Sequence, residues 1–217
     1  MTAMMSGVKT DVGVIGVDED IERGDCASLS GNELVTSLEA AEIPGKSTGI
    51  ISTGRITHAT PATTYAKSAE RNWEDNSDMP AAVAAGCVDI ASQLLSFENG
   101  IQSRFSGVKV NGIEVVLGGG RRHFLTKDVA FNSTDGRDLT AEWQAQYPAG
   151  SFVTDQAGFD TVDANTTPRL FGLFNESHMQ YEADRGNDIA GEPSLREMTN
   201  KAIDILDNNE QGFFLMV

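Results

Sequence analysis

Short apolar runs alternate with stretches of helical periodicity along most of the chain. The runs typical of buried strands lie at residues 12–17, 47–53, 113–117, 170–174 and 213–217. Most are followed by a stretch in which apolar residues recur every three or four positions, as on one face of a helix. Strand then helix, repeated, predicts an α/β fold whose central sheet is largely parallel and has helices on both faces.

Capping signals predict where the helices begin. The predicted helix starts are Ser30 with Glu33, Thr60 with Pro61, Pro80, and Ser194 with Glu197. Serine or threonine followed three residues later by glutamate is a capping box, and proline is favoured in the first turn. The first three starts predict helices over about 30–43, 60–70 and 80–95, and the fourth predicts a long helix before the last strand.

The whole chain is interpreted as one α/β domain, in which residues 99–112 and 126–159 are loop-rich surface insertions. Residues 2–6 resemble the last turn of a helix that ends at Gly7, and the final strand stops where a functional loop is expected to follow. We therefore expect these 217 residues to be an internal fragment of a longer protein, with an incomplete sheet.

Composition and net charge limit the kinds of molecule that this protein is expected to bind. Hydrophobic residues make up 40% of the chain, enough for a core, and the formal net charge is −16. Such a surface repels phosphate backbones and anionic lipids, which excludes nucleic acid and membrane as expected partners. An acidic chain that is poor in lysine is typical of halophilic or marine proteins, although an ordinary acidic surface explains the composition equally well.

The richest candidate chemistry follows the strand at 47–53. His58 and Thr60 alternate just past that strand, at the edge where open α/β sheets bind ligands. Arg71 follows the predicted helix and could offer a two-pronged donor to a phosphate or carboxylate. The structural alternatives are that Thr60 is a plain N-cap and that Arg71 forms a solvated ion pair with Glu70 or Glu74.

Other motifs carry weaker signals. Three glycines at 118–120 follow a strand but lack both the Gly-x-Gly-x-x-Gly spacing and a Walker lysine, so a tight turn is favoured over a phosphate-binding loop. The three histidines, His58, His123 and His178, have no zinc-ligand spacing. Cys26 and Cys87 could form one disulfide or remain two buried thiols.

Several blocks, spread from end to end of the chain, carry a family resemblance. They are Arg-Ile-Thr-His-Ala-Thr-Pro at 55–61, Ala-Glu-Arg-Asn-Trp at 69–73, Gly-Cys-Val-Asp-Ile-Ala at 86–91, Val-Val-Leu-Gly-Gly-Gly-Arg at 115–121, Met-Gln-Tyr-Glu at 179–182 and Gly-Phe-Phe-Leu-Met-Val at 212–217. With these motifs the chain resembles the metal-dependent alkaline phosphatases, in particular their animal and marine-bacterial branch. Only the predicted insertions fall outside the resemblance.

The resemblance implies hydrolysis of phosphomonoesters through a phosphoserine intermediate at a site with two zinc ions and one magnesium ion. By position, Arg71 matches the substrate phosphate-binding arginine, Thr60 a magnesium ligand, and His58 a residue that acts on magnesium through water. Cys26 and Cys87 match a disulfide of the animal branch, which implies a periplasmic or secreted protein. The family is commonly dimeric, so a homodimer of the full-length protein is a further expectation.

The same resemblance places the nucleophile outside this chain. The tail of the family's nucleophile motif matches Thr2-Ala3 and the Gly-Val-Lys that follows at 7–9, so its serine is expected before Met1. The zinc ligands and a magnesium-binding glutamate are expected beyond Val217. We therefore expect the fragment alone to be inactive. Asn175 stands where the animal branch has a calcium-binding carboxylate, so no calcium site is claimed.

Two alternatives remain open at the level of sequence. A related hydrolase or transferase, such as a sulfatase or phosphomutase, shares the broad fold, but the block from Thr60 to Arg71 argues against it. A non-catalytic, secreted, acidic binding module on a degenerate phosphatase fold is the second alternative. The sequences flanking the chain distinguish these alternatives from an alkaline phosphatase, because they show whether the nucleophile and metal ligands are present.

Overall fold

The computed structural model describes residues 1–80, 83, 86–126, 136–189 and 191–217. Its centre is a five-stranded sheet in which every pair of neighbours is parallel. The strands are β1 (Ser47–Arg55), β2 (Val115–Gly119), β3 (Ser151–Val153), β4 (Leu170–Leu173) and β5 (Phe213–Met216), in the spatial order β3-β4-β2-β1-β5. The predicted parallel α/β architecture is therefore confirmed.

Helices cover both faces of the sheet. They are α1 (Thr2–Ser6), α2 (Ser37–Glu42), α3 (Ala59–Ala62), α4 (Ile90–Leu95), α5 (Phe97–Arg104), α6 (Leu139–Gln146), α7 (Gln156–Thr161) and α8 (Leu195–Leu206). Successive strand residues point to opposite faces, so Ile50 packs in one core cluster with α4, α5 and α6, while Ile51 packs in a second with α7 and α8. Both side chains are fully buried.

A third, smaller cluster surrounds a disulfide between Cys26 and Cys87. The two Cα atoms lie 5.7 Å apart, and the bond closes a sequence separation of 61 residues. Trp73 and Val17 are buried in the same cluster. The pairing implied by the family resemblance is therefore confirmed, and it anchors the segment that follows Arg71 to the N-terminal segment.

Three predicted helix boundaries are wrong. The capping box that opens α2 is Thr36 with Glu39, not Ser30 with Glu33. The helix predicted over 60–70 is only the four residues of α3, and its N-cap is His58 rather than Thr60. Within the predicted helix 80–95, Asp89 caps the separate helix α4, while residues 81, 82, 84 and 85 lie outside the described residues.

The loop predictions need a similar correction. The segment 99–112 contains the end of α5, and the described part of 126–159 contains α6, β3 and the start of α7. Residues 12–17 form isolated bridges through Ile15 and Val17 rather than a strand. The capping box of Ser194 with Glu197 is confirmed at the start of α8.

The assignment of a single domain stays a prediction. None of the described helices combines the length and apolar character needed to cross a membrane.

Candidate active site

The predicted site residues lie just past the C-terminal end of β1. Residues 56–58 form a tight turn, and His58 then caps the short helix α3 in an extended backbone conformation. Thr60 lies in the first turn of that helix and is exposed. Because β1, β2 and β4 are parallel, the segments that leave their C-terminal ends meet at this same edge of the sheet.

Thr60 and Arg71 line one cavity of about 310 Å³. Its wall also includes the hydroxyl side chains of Thr2 and Thr63 and the carboxylate of Asp11. Thr2 belongs to the segment that resembles the tail of the family's nucleophile motif. The structure therefore brings three separate sequence blocks together around one polar cavity.

The Arg71 guanidinium has no carboxylate partner among the described residues. Glu70 instead pairs with Arg23 at 2.7 Å, and Glu74 pairs with Arg55 at 2.5 Å. The backbone N–H of Arg71 donates to the Gly13 carbonyl at 2.7 Å, which fixes the start of the side chain. The ion pairs considered for Arg71 from the sequence are therefore absent, and its charge is left for the cavity.

His58 is the side chain that contacts the guanidinium. Its Nε2 lies 3.2 Å from Arg71 Nη2, so the ring accepts a hydrogen bond when that nitrogen is unprotonated. Burial lowers the pKa of His58, and the neighbouring Arg55 lowers it further. The neutral imidazole is thus the favoured form, and it can hold one edge of the Arg71 fork.

Behind His58 lies a second layer built on Arg55. Its guanidinium donates two hydrogen bonds to Glu74, whose carboxylate also accepts from Thr57 at 2.6 Å. Burial by itself raises the pKa of Glu74, but the hydrogen bonds from Arg55 and Thr57 outweigh burial and lower it to about 2. Arg55 Nη1 lies 2.6 Å from Nε2 of His178, whose ring meets that of His58 edge-on at 5.5 Å.

The fit to a magnesium ion is partial. Within the described residues the Thr60 hydroxyl makes no hydrogen bond, and a hydroxyl oxygen suits hard Mg²⁺. The ion takes about six oxygens, however, and Thr60 could supply only one of them. His58 turns its Nε2 toward Arg71.

The glycines at 118–120 do not form a phosphate-binding loop. The backbone N–H groups of Gly120 and Arg121 donate to the carbonyls of Asn175 and Ser177, which leaves them occupied within the protein. Gly120 has a φ of 95°, and a side chain on Gly119 would lie 2.1 Å from the Ser177 carbonyl oxygen. The tight turn favoured from the sequence is the conformation found.

Sequence reasoning missed a second group of possible metal ligands. Asp75, Asp78 and His123 each offer one ligand atom, and these three atoms lie within 4.8 Å of one another. His123 comes 48 residues after Asp75, so no local spacing signals the group. His123 is itself buried.

A sequence model of the family described as Alkaline phosphatase matches residues 1–217. The human tissue-nonspecific alkaline phosphatase is 38% identical over 100% of this chain and 41% of its own length. The alkaline phosphatase of Gadus morhua is 36% identical over 100% and 45%, and the membrane-bound enzyme of Bombyx mori is 38% identical over 100% and 40%. The chain spans about two fifths of the length of these relatives.

Solved structures agree with the sequence relatives. Thermus thermophilus alkaline phosphatase matches with a TM-score of 0.72 and 30% identity, over 99% of this chain and 36% of that chain. The enzyme of the Antarctic bacterium TAB5 has a TM-score of 0.66 at 22% identity, over 99% and 48%, and supports the fold alone. A variant of the TAB5 enzyme is described with bound Mg. From the match along its whole length, this chain belongs to the alkaline phosphatase family.

Proposed function

We propose that the protein hydrolyses phosphomonoesters and that Arg71 binds the phosphoryl group. The observation that carries the proposal is an arginine without a carboxylate partner in the described part of the chain, on the wall of a polar cavity that it shares with Thr60. Family membership and the match of both residues to functional positions support the same assignment.

The guanidinium suits this role because its N–H groups form a rigid fork. Two of them can donate to two non-bridging phosphoryl oxygens, where negative charge must be balanced as the ester bond breaks. His58 holds one nitrogen of the fork at 3.2 Å, and the backbone contact with Gly13 holds the other end of the side chain. Arg71 is thus oriented before the substrate arrives.

The proposal includes the family's cofactors, zinc and magnesium. When bound, these ions stabilise charge on the attacking and leaving oxygens. In this chain Thr60 is the proposed magnesium ligand, and His58 is proposed to act on that ion through water. The reaction is proposed to proceed through a phosphoserine, and neither the nucleophile nor a zinc ligand of the catalytic centre is assigned to a residue of this chain.

The setting is proposed to be periplasmic or secreted. The Cys26–Cys87 disulfide supports an oxidising compartment. One relative, the Bombyx mori enzyme, is named as membrane-bound, so attachment to a membrane is an outcome that fractionation of the source cells must test. A homodimer and the absence of nucleic-acid binding remain parts of the proposal.

The activity test uses the full-length protein with p-nitrophenyl phosphate at alkaline pH. We expect turnover that chelation abolishes and that zinc with magnesium restores. Turnover of p-nitrophenyl sulfate in preference to the phosphate contradicts the proposal in favour of a sulfatase. Tight binding of phosphate without turnover of either ester favours the non-catalytic binding module.

A further inference from the structure

Asp75, Asp78 and His123 meet at a point where two short 3-10 turns face each other. Asp75 caps the turn of residues 76–78, and Asp78 ends it. His123 ends the turn of residues 121–123 that follows the glycines after β2. None of the three lies on the wall of the cavity that holds Thr60 and Arg71.

The geometry of the three side chains suits a single small cation. Asp75 Oδ2 lies 2.6 Å from His123 Nδ1, and Asp78 Oδ2 lies 3.9 Å from the same nitrogen. Nitrogen and oxygen ligands bind zinc at about 2.0–2.2 Å, which places pairs of ligands about 3–4 Å apart. A modest opening of the Asp75–His123 contact therefore makes room for an ion between the three atoms.

The protein balances the charges at this point only in part, since Arg55 acts on Asp78 electrostatically without forming an ion pair with it. Asp75 Oδ1 accepts hydrogen bonds from the N–H and hydroxyl of Ser77, and its Oδ2 faces His123. In the residues that the structure describes, no lysine or arginine forms an ion pair with Asp75 or Asp78. A single histidine can balance at most one of the two carboxylates, and Asp75 is buried. A divalent cation would balance both.

Glu74 provides the support that metal-binding histidines usually have on their second nitrogen. Its Oε2 lies 3.3 Å from Nε2 of His123, and it is itself held by Arg55 and Thr57. A histidine that binds a metal through one nitrogen commonly donates its other N–H to a carboxylate, which fixes the ring. Glu74 is not one of the three proposed ligands, and it contacts only the nitrogen of His123 that faces away from them.

Without a metal, Arg122 contacts the His123 ring. Its Nε donates to His123 Nε2 at 3.2 Å, which requires the ring proton to lie on Nδ1 and to be donated to Asp75. With a metal on Nδ1, the ring proton lies on Nε2 and is donated to Glu74 instead. Binding of a metal therefore moves the ring proton from one nitrogen to the other, and Arg122 gives up its contact.

We propose that Asp75, Asp78 and His123 bind one divalent transition metal, with zinc the best match, at a site outside the cavity that Thr60 and Arg71 line. A donor set of one imidazole and two carboxylates favours zinc over calcium and magnesium, which prefer oxygen alone. Asp78 is about one-third exposed, which gives the ion a path from solvent and leaves a position for water. The proposal does not depend on the proposed phosphatase activity.

The test is a calorimetric titration of the chelator-treated protein with zinc chloride, followed by cobalt substitution. With only three histidines in the chain and both cysteines in the disulfide, each histidine can be tested in turn. We expect His123→Gln and Asp78→Asn each to weaken one zinc site by about tenfold or more. The control, Asp204→Asn at an exposed position of α8, should leave that site unchanged.

Several outcomes would overturn the proposal. They are the absence of a zinc site in the wild-type protein, an unchanged affinity in His123→Gln, and an equal loss in the Asp204→Asn control. Circular dichroism checks that each variant is folded. Should His123→Gln fail to fold, Asp78→Asn decides the question, since its side chain is partly exposed and the asparagine oxygen still accepts from the Asp75 N–H. Unchanged zinc affinity in Asp78→Asn then rejects the site.

Discussion

Arg71 shows how neighbouring charges determine what a side chain can do. Two glutamates lie within three residues of it, and each is already paired with another arginine, Arg23 or Arg55. An arginine with its own carboxylate partner would have to break that ion pair to bind a phosphate. Since its neighbours are paired elsewhere, Arg71 has no ion-pair partner among the described residues.

Glu42 is a buried carboxyl group whose pKa is raised into the neutral range. It is fully buried at the end of α2, where Oε1 accepts from the Thr48 hydroxyl at 2.5 Å and Oε2 has no partner among the described residues. Burial, and to a lesser degree the charge of Glu114, raises the pKa of Glu42 from 4.5 to about 7. The protonated form stabilises the fold fully below pH 4.5, and this stabilisation is lost as pH rises through about 7.

Glu42→Gln should therefore remove a pH dependence of stability. At pH 5 we expect urea unfolding of the variant and the wild type to give similar free energies. At pH 8 the variant should be more stable by about 2 kcal/mol, because the buried charge is gone and the unpaired amide N–H offsets part of the gain. Glu19→Gln, at an exposed position, is the control. An equal pH response in wild type and Glu42→Gln would contradict the account.

At the residue scale, the sequence predicts candidate site residues that lie together in one continuous motif. Thr60 and Arg71 were predicted from continuous sequence blocks, and the structure places both at one cavity, while their roles stay predictions. The group of Asp75, Asp78 and His123 could not be identified, since packing of two distant turns creates it. The ion-pair partners of Glu70 and Glu74 depend on the same kind of long-range contact.

At the element scale, strand β4 is held by an aromatic cluster. The ring of Phe171 lies 5.4 Å from each of Phe124, Trp143 and Phe152, measured between centroids. Phe171 is fully buried and pairs in the sheet with Val116 of β2. This cluster connects β3, β4 and α6 on one face of the sheet.

Phe171→Ala should destabilise the fold by about 3–5 kcal/mol, because it removes buried area and leaves a cavity. Chemical unfolding of the variant against the wild type measures the difference. Tyr181→Ala is the control, since Tyr181 is 84% exposed and its loss should change the free energy of unfolding by less than about 0.5 kcal/mol. A cost below about 1 kcal/mol for Phe171→Ala would show that this cluster does not hold the strand.

The disulfide joins the N-terminal segment that precedes α2 to the segment that precedes α4. Opening the Cys26–Cys87 loop of 61 residues should cost about 4 kcal/mol in the loop-entropy model. We expect a reductant, or the double change to serine, to lower the free energy of unfolding by that order. Full alkylation of both sulfurs in unreduced protein would contradict the pairing.

Strands were predictable from the sequence, whereas helix starts were less so. The apolar runs at 47–53 and 213–217 are typical of strands in a parallel sheet, so pattern alone identifies them. Glu33 lost its predicted capping role because Val17 pairs with its backbone and Gly31 donates to its carboxylate. The three-residue strand β3 gives too short a pattern to detect.

At the scale of the whole molecule, the charge of −16 has to be reconciled with an anionic substrate. The surface as a whole repels phosphate, so attraction must be local. Arg55, Arg71 and two histidines of lowered pKa gather at the C-terminal edge of the sheet, with one buried carboxylate, Glu74, among them. The expectation that these 217 residues alone are inactive stays a prediction.

The central claim is that Arg71 binds the phosphoryl group of a phosphomonoester. The most direct test compares the full-length wild type with Arg71→Ala, Arg71→Lys and the exposed control Arg196→Ala, using p-nitrophenyl phosphate turnover and inhibition by inorganic phosphate. We predict a loss in kcat/KM of roughly 10²-fold for Arg71→Ala, weaker phosphate inhibition, and incomplete rescue by lysine, which lacks the fork. Arg196→Ala should match the wild type. Unchanged phosphate inhibition in an Arg71→Ala variant that remains folded would contradict the account.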